Sequence, residues 1–200
     1  MGGDLRSEIA PLPGWVSESL DWHTHHITIV PTLETARLVL RSYGPPDIPE
    51  LVRLIGAREV AATTLRVPHP YTEQDAEEFI GNIDEEHEAR FAITLRASGG
   101  LCGGVGLRID REHRHAELGY WIGVPYWGNG YATEAARAVL GYGFEDLKLH
   151  RIFATHFKQN AASRNVLQKL GMRHEGCLRS HVLKWGNFID VEIYAVLSQE

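Results

Sequence analysis

Residues 124–135 read VPYWGNGYATEA. A strand-like segment precedes this run, and apolar residues at helical spacing follow Ala132. Gly128 and Gly130 leave few Cβ atoms in the loop, so a ligand can approach its backbone closely. A loop of this kind at the start of a helix exposes unpaired N–H groups at the positive end of the helix dipole. The run therefore predicts an anion site, most naturally for phosphate.

Two common phosphate-binding loops do not match this run. The P-loop requires Gly-Lys-Ser/Thr, but Tyr131 and Ala132 follow Gly130. The dinucleotide fingerprint requires a small residue three places after its second glycine, where this chain has Thr133. A helix that simply begins after a glycine turn, without any ligand, is the structural alternative.

The spacing Trp127-x-x-Gly130-x-Ala132 resembles the pyrophosphate loop of the GNAT acetyltransferases, whose usual form is Gln/Arg-x-x-Gly-x-Gly/Ala. Its Trp-Gly-x-Gly-Tyr-Ala form is similar to that of the RimJ/RimL-type protein N-acetyltransferases. The resemblance implies acetyl-CoA as co-substrate and no metal. It also implies that the cofactor contacts a continuous set of residues: Trp127, Gly128, Asn129, Gly130, Tyr131, Ala132 and Thr133.

Composition is consistent with a single soluble domain. The chain has 200 residues, of which 44% are hydrophobic, enough for one sizeable core. Its formal net charge of −6 argues against general nucleic-acid binding and mildly favours a cationic substrate such as an amine or a basic peptide. No apolar run approaches the ~20 residues of a membrane span. Without a signal-peptide pattern, a cytoplasmic location and no membrane partner are predicted.

The chain divides into residues 1–32, an N-terminal arm or extra strand, and residues 33–200, a single GNAT domain. The arm contains His23, His25 and His26. On a strand His26 would point away from the other two, and no acidic residue or cysteine lies nearby to complete a metal site. We therefore predict no metal here.

Hydrophobic patterning predicts a mixed α+β fold in the order β-α-α-β-β-β-α-β-α-β-β. The resemblance implies a GNAT fold, with a mostly antiparallel sheet of six to seven strands that is splayed between strands 4 and 5 and flanked by about four helices. Asp47 and Thr72 are predicted helix N-caps, the second with Asp75 in a capping box. Residues 58–71 are predicted to be a loop on the acceptor side. The remaining predicted elements are strands 33–41, 90–96, 101–109, 115–122, 150–156, 174–184 and 188–197, and helices 132–146 and 161–170.

Glu117 lies within the otherwise apolar segment 116–122. A carboxylate in apolar surroundings is costly unless it is paired or protonated, and such a group is suited to accept a proton from an ammonium. In the GNAT family the general base often lies on this strand, which makes Glu117 a candidate catalytic residue. The alternative is that strand alternation turns Glu117 to solvent or into a salt bridge.

Residues 159–172 read QNAASRNVLQKLGM and resemble the family segment Asn-x-x-Ser/Ala-x-x-x-Tyr/Leu-x-Lys-x-Gly-Phe. The resemblance implies that Asn160 contacts the pantetheine arm and that Ser163 lies near the sulfur as a second catalytic residue. Many GNAT enzymes carry a general-acid tyrosine where this chain has Leu167. Simple helix capping is the alternative for Asn160 and Ser163.

Residues 186–194 contain Gly-x-x-x-Asp-x-x-x-Tyr, which is similar to the end of RimJ/RimL proteins. The resemblance implies that Asp190 lines the acceptor site and that Tyr194 lies near the CoA thiol; packing within a strand is the alternative for both. The backbone N–H of Ile122 is predicted to face the thioester carbonyl, and Cys102 and Cys177 are not required for a covalent step.

The function predicted from these motifs is transfer of an acetyl group from acetyl-CoA to a primary amine, by direct attack in a ternary complex. A small molecule or peptide is the expected acceptor, with a protein N-terminal α-amine as one candidate. A homodimer is also considered. Two alternatives stay open: a GNAT-like protein that binds acyl-CoA without catalysis, motivated by Leu167, and a nucleotide-binding domain.

Overall fold

The computed structural model describes residues 30–84 and 86–199, so the predictions for His23, His25 and His26 lie outside the described residues. Within these ranges eight strands form one sheet and five α-helices flank it. The strands are β1 (Leu33–Glu34), β2 (Leu38–Arg41), β3 (Glu88–Leu95), β4 (Leu101–Asp110), β5 (His115–Ile122), β6 (Arg151–Phe157), β7 (Arg173–Lys184) and β8 (Asn187–Leu197). The helices are α1 (Ile48–Ile55), α2 (Arg58–Thr63), α3 (Glu73–Gly81), α4 (Tyr131–Glu145) and α5 (Ala161–Lys169).

The predicted mixed α+β fold is confirmed, with two differences in detail. The first predicted strand, 33–41, is interrupted, so the sheet has eight strands in the order β1-β2-β3-β4-β5-β6-β8-β7. The predicted loop 58–71 begins with α2, because Val60 and Ala61 are both buried against the neighbouring core. Burial of these two side chains stabilises a helix too short to be recognised by its own periodicity.

The centre of the sheet is splayed between β5 and β6. These are the strands predicted as the fourth and fifth, because the first predicted strand is divided into β1 and β2. Strands β5 and β6 are parallel, whereas every other neighbouring pair is antiparallel. They pair at only three positions, the last being Glu117 with Phe153. Beyond this point β5 stays paired with β4, and β6 stays paired with β8. A V-shaped gap therefore opens between β5 and β6. The backbone groups that face the gap have no partner strand among the described residues, and they require another hydrogen-bonding partner.

Two hydrophobic cores cover the two faces of the sheet. One lies under α4 and α5 and includes Val139 and Leu167. The other lies under α1, α2 and α3 and includes Leu54 and Val60. Because side chains alternate along a strand, Leu118 and Tyr120 of β5 face α4 and α5. Glu117 and Trp121 consequently face α1–α3.

The starts of α1 and α3 and the end of α5 show how the helices are capped. Thr72 and Asp75 form the predicted capping box. The N–H of Gly171 donates to the carbonyl of Gln168, and the N–H of Met172 donates to that of Leu167, so α5 ends in a Schellman motif. Asp47 is the N-cap residue of α1 as predicted, but its side chain makes no hydrogen bond to the first turn of that helix. It accepts instead from the guanidinium of Arg41, an ion pair between β2 and the start of α1.

No helix in the described ranges combines the length and the apolar character that crossing a membrane would take.

Candidate active site

Glu117 lies where the gap between β5 and β6 begins. Its carboxylate accepts a hydrogen bond from Thr155 Oγ1 at 3.0 Å and lies 3.5 Å from Arg108 Nη1 and 3.6 Å from Arg66 Nη2. Its side chain is 26% exposed. Of the two interpretations of Glu117, the structure shows the ion-paired one, at the edge of an opening in the sheet. Its role as the base stays a prediction.

The opposite face of the gap carries a pair of hydroxyl groups. Tyr120 Oη and Ser163 Oγ lie 2.7 Å apart in a hydrogen bond between β5 and the first turn of α5. Asn160 Oδ1 accepts from the N–H of Ser163 at 3.0 Å, so Asn160 caps the helix as predicted. Burial raises the pKa of Tyr120 to about 12, which keeps its hydroxyl protonated and able to donate at neutral pH. The contacts proposed for Asn160 and Ser163 with the cofactor stay predictions.

Tyr120 is the residue that the sequence did not reveal. It follows Glu117 by three places and therefore faces the other side of the sheet, where the strand appears uniformly apolar. Only the packing of α5 against β5 brings a second hydroxyl to it. Leu167, at the position of the family's general-acid tyrosine, is fully buried in the core.

The loop before α4 has the geometry of an anion site. Gly128 and Gly130 have φ of +78° and +80°, the left-handed region that favours glycine. Trp127 Nε1 donates to the carbonyl of Ile122 at 2.6 Å, and Asn129 Nδ2 donates to that of Tyr126 at 3.1 Å. Both side chains therefore stabilise the loop itself. Among residues 30–84 and 86–199 no side chain caps α4, so its first N–H groups have no capping partner there and suit a ligand.

A cavity of about 560 Å³ lies beside the start of α4. Its lining includes the basic residues Arg37, Arg137 and Lys169. Arg37 pairs with Glu134 in the first turn of α4 at 2.6 Å, and Arg137 Nη2 donates to the carbonyl of Lys169 at 2.8 Å. Lys169 has no such pairing described, and the two guanidinium groups retain unused donors. The cavity thus extends the anion site with positive charge.

The two C-terminal candidates lie in different environments. Asp190 lines a second cleft of about 670 Å³, accepts from the N–H of Ser180 at 2.9 Å and lies 3.3 Å from Lys158 Nζ. These contacts, the backbone bond first, hold the pKa of Asp190 below its usual value. Tyr194 is only 4% exposed, and its ring contacts those of His156 and His174. Tyr194 is thus packed within the sheet, and the predicted roles of Tyr194 near the CoA thiol and of Asp190 at the acceptor site stay predictions.

Residues 37–173 match the family model described as an acetyltransferase (GNAT) domain. The chain belongs to this family. The match covers β2 through the start of β7 and therefore the whole gap, the loop before α4 and both hydroxyl groups.

Relatives of this GNAT acetyltransferase agree with the RimJ/RimL-like resemblance. It is 34% identical over 173 residues to the uncharacterized N-acetyltransferase p20 of Bacillus licheniformis, which covers 84% of this chain and 97% of that protein. It is 36% identical over 107 residues to the putative ribosomal N-acetyltransferase YdaF of Bacillus subtilis, over 53% and 58% of the two chains. These similarities support an N-acetyltransferase.

Solved structures give the same fold. A GNAT-family acetyltransferase from Bacillus anthracis has a TM-score of 0.77 and 29% identity, covering 85% of this chain and 100% of that one. A spermidine N-acetyltransferase from Vibrio cholerae, solved in complex with CoA and spermine, has a TM-score of 0.74 and 26% identity, over 82% and 98% of the two chains. Enzymes of the GNAT family use acetyl-CoA as donor.

One group of metal-type ligands lies away from this site of the GNAT domain. Asp110, His113 and His115 come together at the turn between β4 and β5, with each ligand atom within 4.8 Å of the others. Asp110 also accepts from the N–H of His113, so the group forms an ordinary hydrogen-bonded turn. The expectation that the reaction requires no metal stays a prediction.

Proposed function

We propose that the protein transfers an acetyl group from acetyl-CoA to a primary amine, with a protein N-terminal α-amine as one candidate acceptor. The observation that supports this most is the gap between β5 and β6. It has a carboxylate, Glu117, on one face and a half-buried hydroxyl pair, Tyr120 and Ser163, on the other. A thioester threaded through the gap would meet the amine from one face and release its thiol on the other.

Each part of acetyl-CoA would bind to a different feature of the chain. The pyrophosphate would bind the free N–H groups at the start of α4. The pantetheine amides would pair with the unpartnered backbone of β5 and β6, which is the bonding that a missing strand would provide. The remaining phosphate of CoA would lie in the basic cavity lined by Arg37, Arg137 and Lys169.

The chemical step needs one proton acceptor and one proton donor. The amine nitrogen attacks the thioester carbonyl carbon, its proton passes to the Glu117 carboxylate, and the C–S bond breaks. The leaving thiolate takes a proton from Ser163, which regains one at the same time through its hydrogen bond from Tyr120. Solvent returns a proton to Tyr120, and Glu117 releases the proton of the amine to solvent. The backbone N–H of Ile122 is proposed to stabilise the oxyanion. Positioning of the two reactants accounts for much of the expected rate.

Calorimetry with acetyl-CoA and with NAD, followed by a thiol-release assay on a panel of amines, tests this proposal. We expect binding of acetyl-CoA and CoA release that depends on an amine. Binding of NAD alone would instead support the nucleotide-binding alternative. Binding of acetyl-CoA with no thiol release on any amine would support the non-catalytic acyl-CoA-binding alternative.

Replacing Arg137 by Glu is expected to weaken acetyl-CoA binding by about tenfold or more, because a favourable contact with a phosphate becomes a repulsive one. Calorimetry with acetyl-CoA and with its 3′-dephospho analogue measures the effect. The loss should largely disappear with the analogue, since it lacks the phosphate that the cavity is proposed to bind. An equal loss for both ligands would place that phosphate elsewhere.

Replacing Tyr120 by Phe is expected to lower kcat by about tenfold. The effect is modest for a proton donor, because the thiolate of a thiol with a pKa of about 8.5 is already a good leaving group at neutral pH. The Ser163→Ala variant should lose a similar amount, and the double variant little more, since the two hydroxyl groups act as one unit. Full additivity of the two losses would show that they act separately.

We also propose a cytoplasmic protein that forms a homodimer. Leu183 and Phe188 are large apolar side chains exposed on the β7–β8 hairpin, a surface that a second copy could cover. Sedimentation velocity of the wild type and of Phe188→Ser tests this; a monomeric wild type would contradict it.

A further inference from the structure

The acceptor side of the gap is unusually rich in guanidinium groups around its carboxylate. Arg66 approaches Glu117 from the segment after α2, and its side chain is 61% exposed. Arg108 approaches from β4 and lies between Glu117 and Glu88 at 3.5 and 3.7 Å. Arg108 is thus shared by two carboxylates, whereas Arg66 has one ion pair among the described residues, with Glu117. Arg66 therefore retains unused donors beside Glu117.

The position of Arg66 is fixed by a contact from the other end of the chain. Lys184, at the end of β7, is 8% exposed and directs its ammonium to the carbonyls of Leu65 at 3.5 Å and Val67 at 3.2 Å. These carbonyls flank Arg66 on either side. Next to Lys184, the ring of Trp185 contacts that of His69. The backbone that carries Arg66 is therefore fastened to the β7–β8 hairpin, and its Arg66 side chain reaches Glu117.

We infer that the acceptor is a primary amine with an anionic group close to the amine, an inference that rests on the proposed function. The ammonium would take the place of Arg66 at Glu117, and the anionic group would pair with the freed guanidinium. Each charge of the acceptor then has a partner of opposite sign, and a carboxylate matches the two-pronged donor geometry of Arg66. A polyamine would instead bring a further positive charge against Arg66.

Two sources supply this chemistry: a free α-amino acid, or a peptide whose N-terminal residue is acidic. Glu117 and Arg66 are separated by the length of one ion pair, 3.6 Å. The acceptor's two charges must therefore lie within a few bonds of one another. This arrangement also makes Arg66 a specificity residue, because drawing it from Glu117 frees the carboxylate for the amine.

Two matched acceptor pairs, with spermidine as a fifth acceptor, test the inference in the thiol-release assay. The pairs are L-methionine with L-methioninamide, and the peptide amides Asp-Ala-Ala-Ala and Asn-Ala-Ala-Ala. In one of the two pairs we expect kcat/KM to be at least about tenfold higher for the member that has the carboxylate, L-methionine or Asp-Ala-Ala-Ala. The pair that shows this difference identifies the source of the acceptor. The Arg66→Gln variant should bring this ratio close to one, and Arg66→Lys should restore part of it. Arg53→Gln, whose guanidinium pairs with Glu50 on α1, is the control and should retain the ratio.

The outcomes separate this inference from the function on which it rests. Turnover that favours L-methioninamide, Asn-Ala-Ala-Ala or spermidine over the acceptors with a carboxylate would overturn the inference of an anionic acceptor. It would leave the proposed N-acetyltransferase activity in place. Binding of acetyl-CoA with no turnover of any of the five would also overturn it. An unchanged ratio in Arg66→Gln would remove Arg66 from recognition. Failure to bind acetyl-CoA would overturn both proposals.

Discussion

Replacing Glu117 by Gln is expected to lower kcat/KM for acetyl transfer by about 100-fold, while acetyl-CoA binding is retained. The amide keeps the shape of the side chain and can still accept from Thr155, which donates to the carboxylate at 3.0 Å. It cannot take the proton that the attacking amine must lose. Loss of a positioned base typically costs about 10²–10⁴ in rate. Steady-state thiol release and calorimetry with acetyl-CoA measure the two quantities separately.

The matched control is Glu50→Gln, which removes an ion-paired carboxylate from α1 rather than from the gap. It should retain full activity, because a surface ion pair contributes little to stability. If Glu117→Gln turned over at the wild-type rate, Glu117 would serve only to pair with Arg66 and Arg108. The proton would then have to pass to water.

The largest expected effect on stability is at Leu167. Replacing it by Ala is expected to lower the free energy of unfolding by about 3 kcal/mol, since a fully buried leucine leaves a cavity in the core under α5. Leu167→Tyr, which introduces the family's usual tyrosine, should also destabilise the protein, because the added ring and hydroxyl have no space or partner there. We expect no increase in kcat from it. Urea unfolding and thiol release measure these changes.

The neighbouring Gln168 provides the control for Leu167. It lies on the exposed face of α5, so Gln168→Ala should change the free energy of unfolding by less than about 0.5 kcal/mol. A stable Leu167→Tyr variant with higher kcat would contradict the assignment of proton donation to Ser163 and Tyr120. It would show that α5 can turn this position toward the thiol.

Local signals predicted the parts of the fold that depend on neighbouring residues. The capping box of Thr72 and Asp75 was predicted from residues within one turn of each other. The glycine loop before α4 was likewise predicted from its own residues. Asp47 shows the limit of this reasoning, because its carboxylate accepts from Arg41 on a strand and from the N–H of Gly44 instead of from the first turn of α1.

Contacts between distant segments account for what the sequence did not predict. Tyr120 and Ser163 are separated by 43 positions, and their hydrogen bond depends on how α5 packs on the sheet. Arg66 is oriented by Lys184, more than a hundred positions away. Neither pairing has a spacing that a single sequence could reveal. The loop before α4 and the cap at Asn160 could therefore be predicted from motifs, whereas the pairings of Tyr120 and Arg66 needed the three-dimensional arrangement.

The gap between β5 and β6 has an evolutionary consequence. Its two faces are built from different segments: the loop before α4 with α5 on one, and the segment after α2 with the β7–β8 hairpin on the other. The sheet acts as a partition, so mutations that remodel one half need not disturb the other. On the proposed function, exchanging residues 64–71 together with residues 184–190 is expected to change which amine is acetylated and to leave acetyl-CoA binding unchanged, which an acceptor screen and calorimetry would measure.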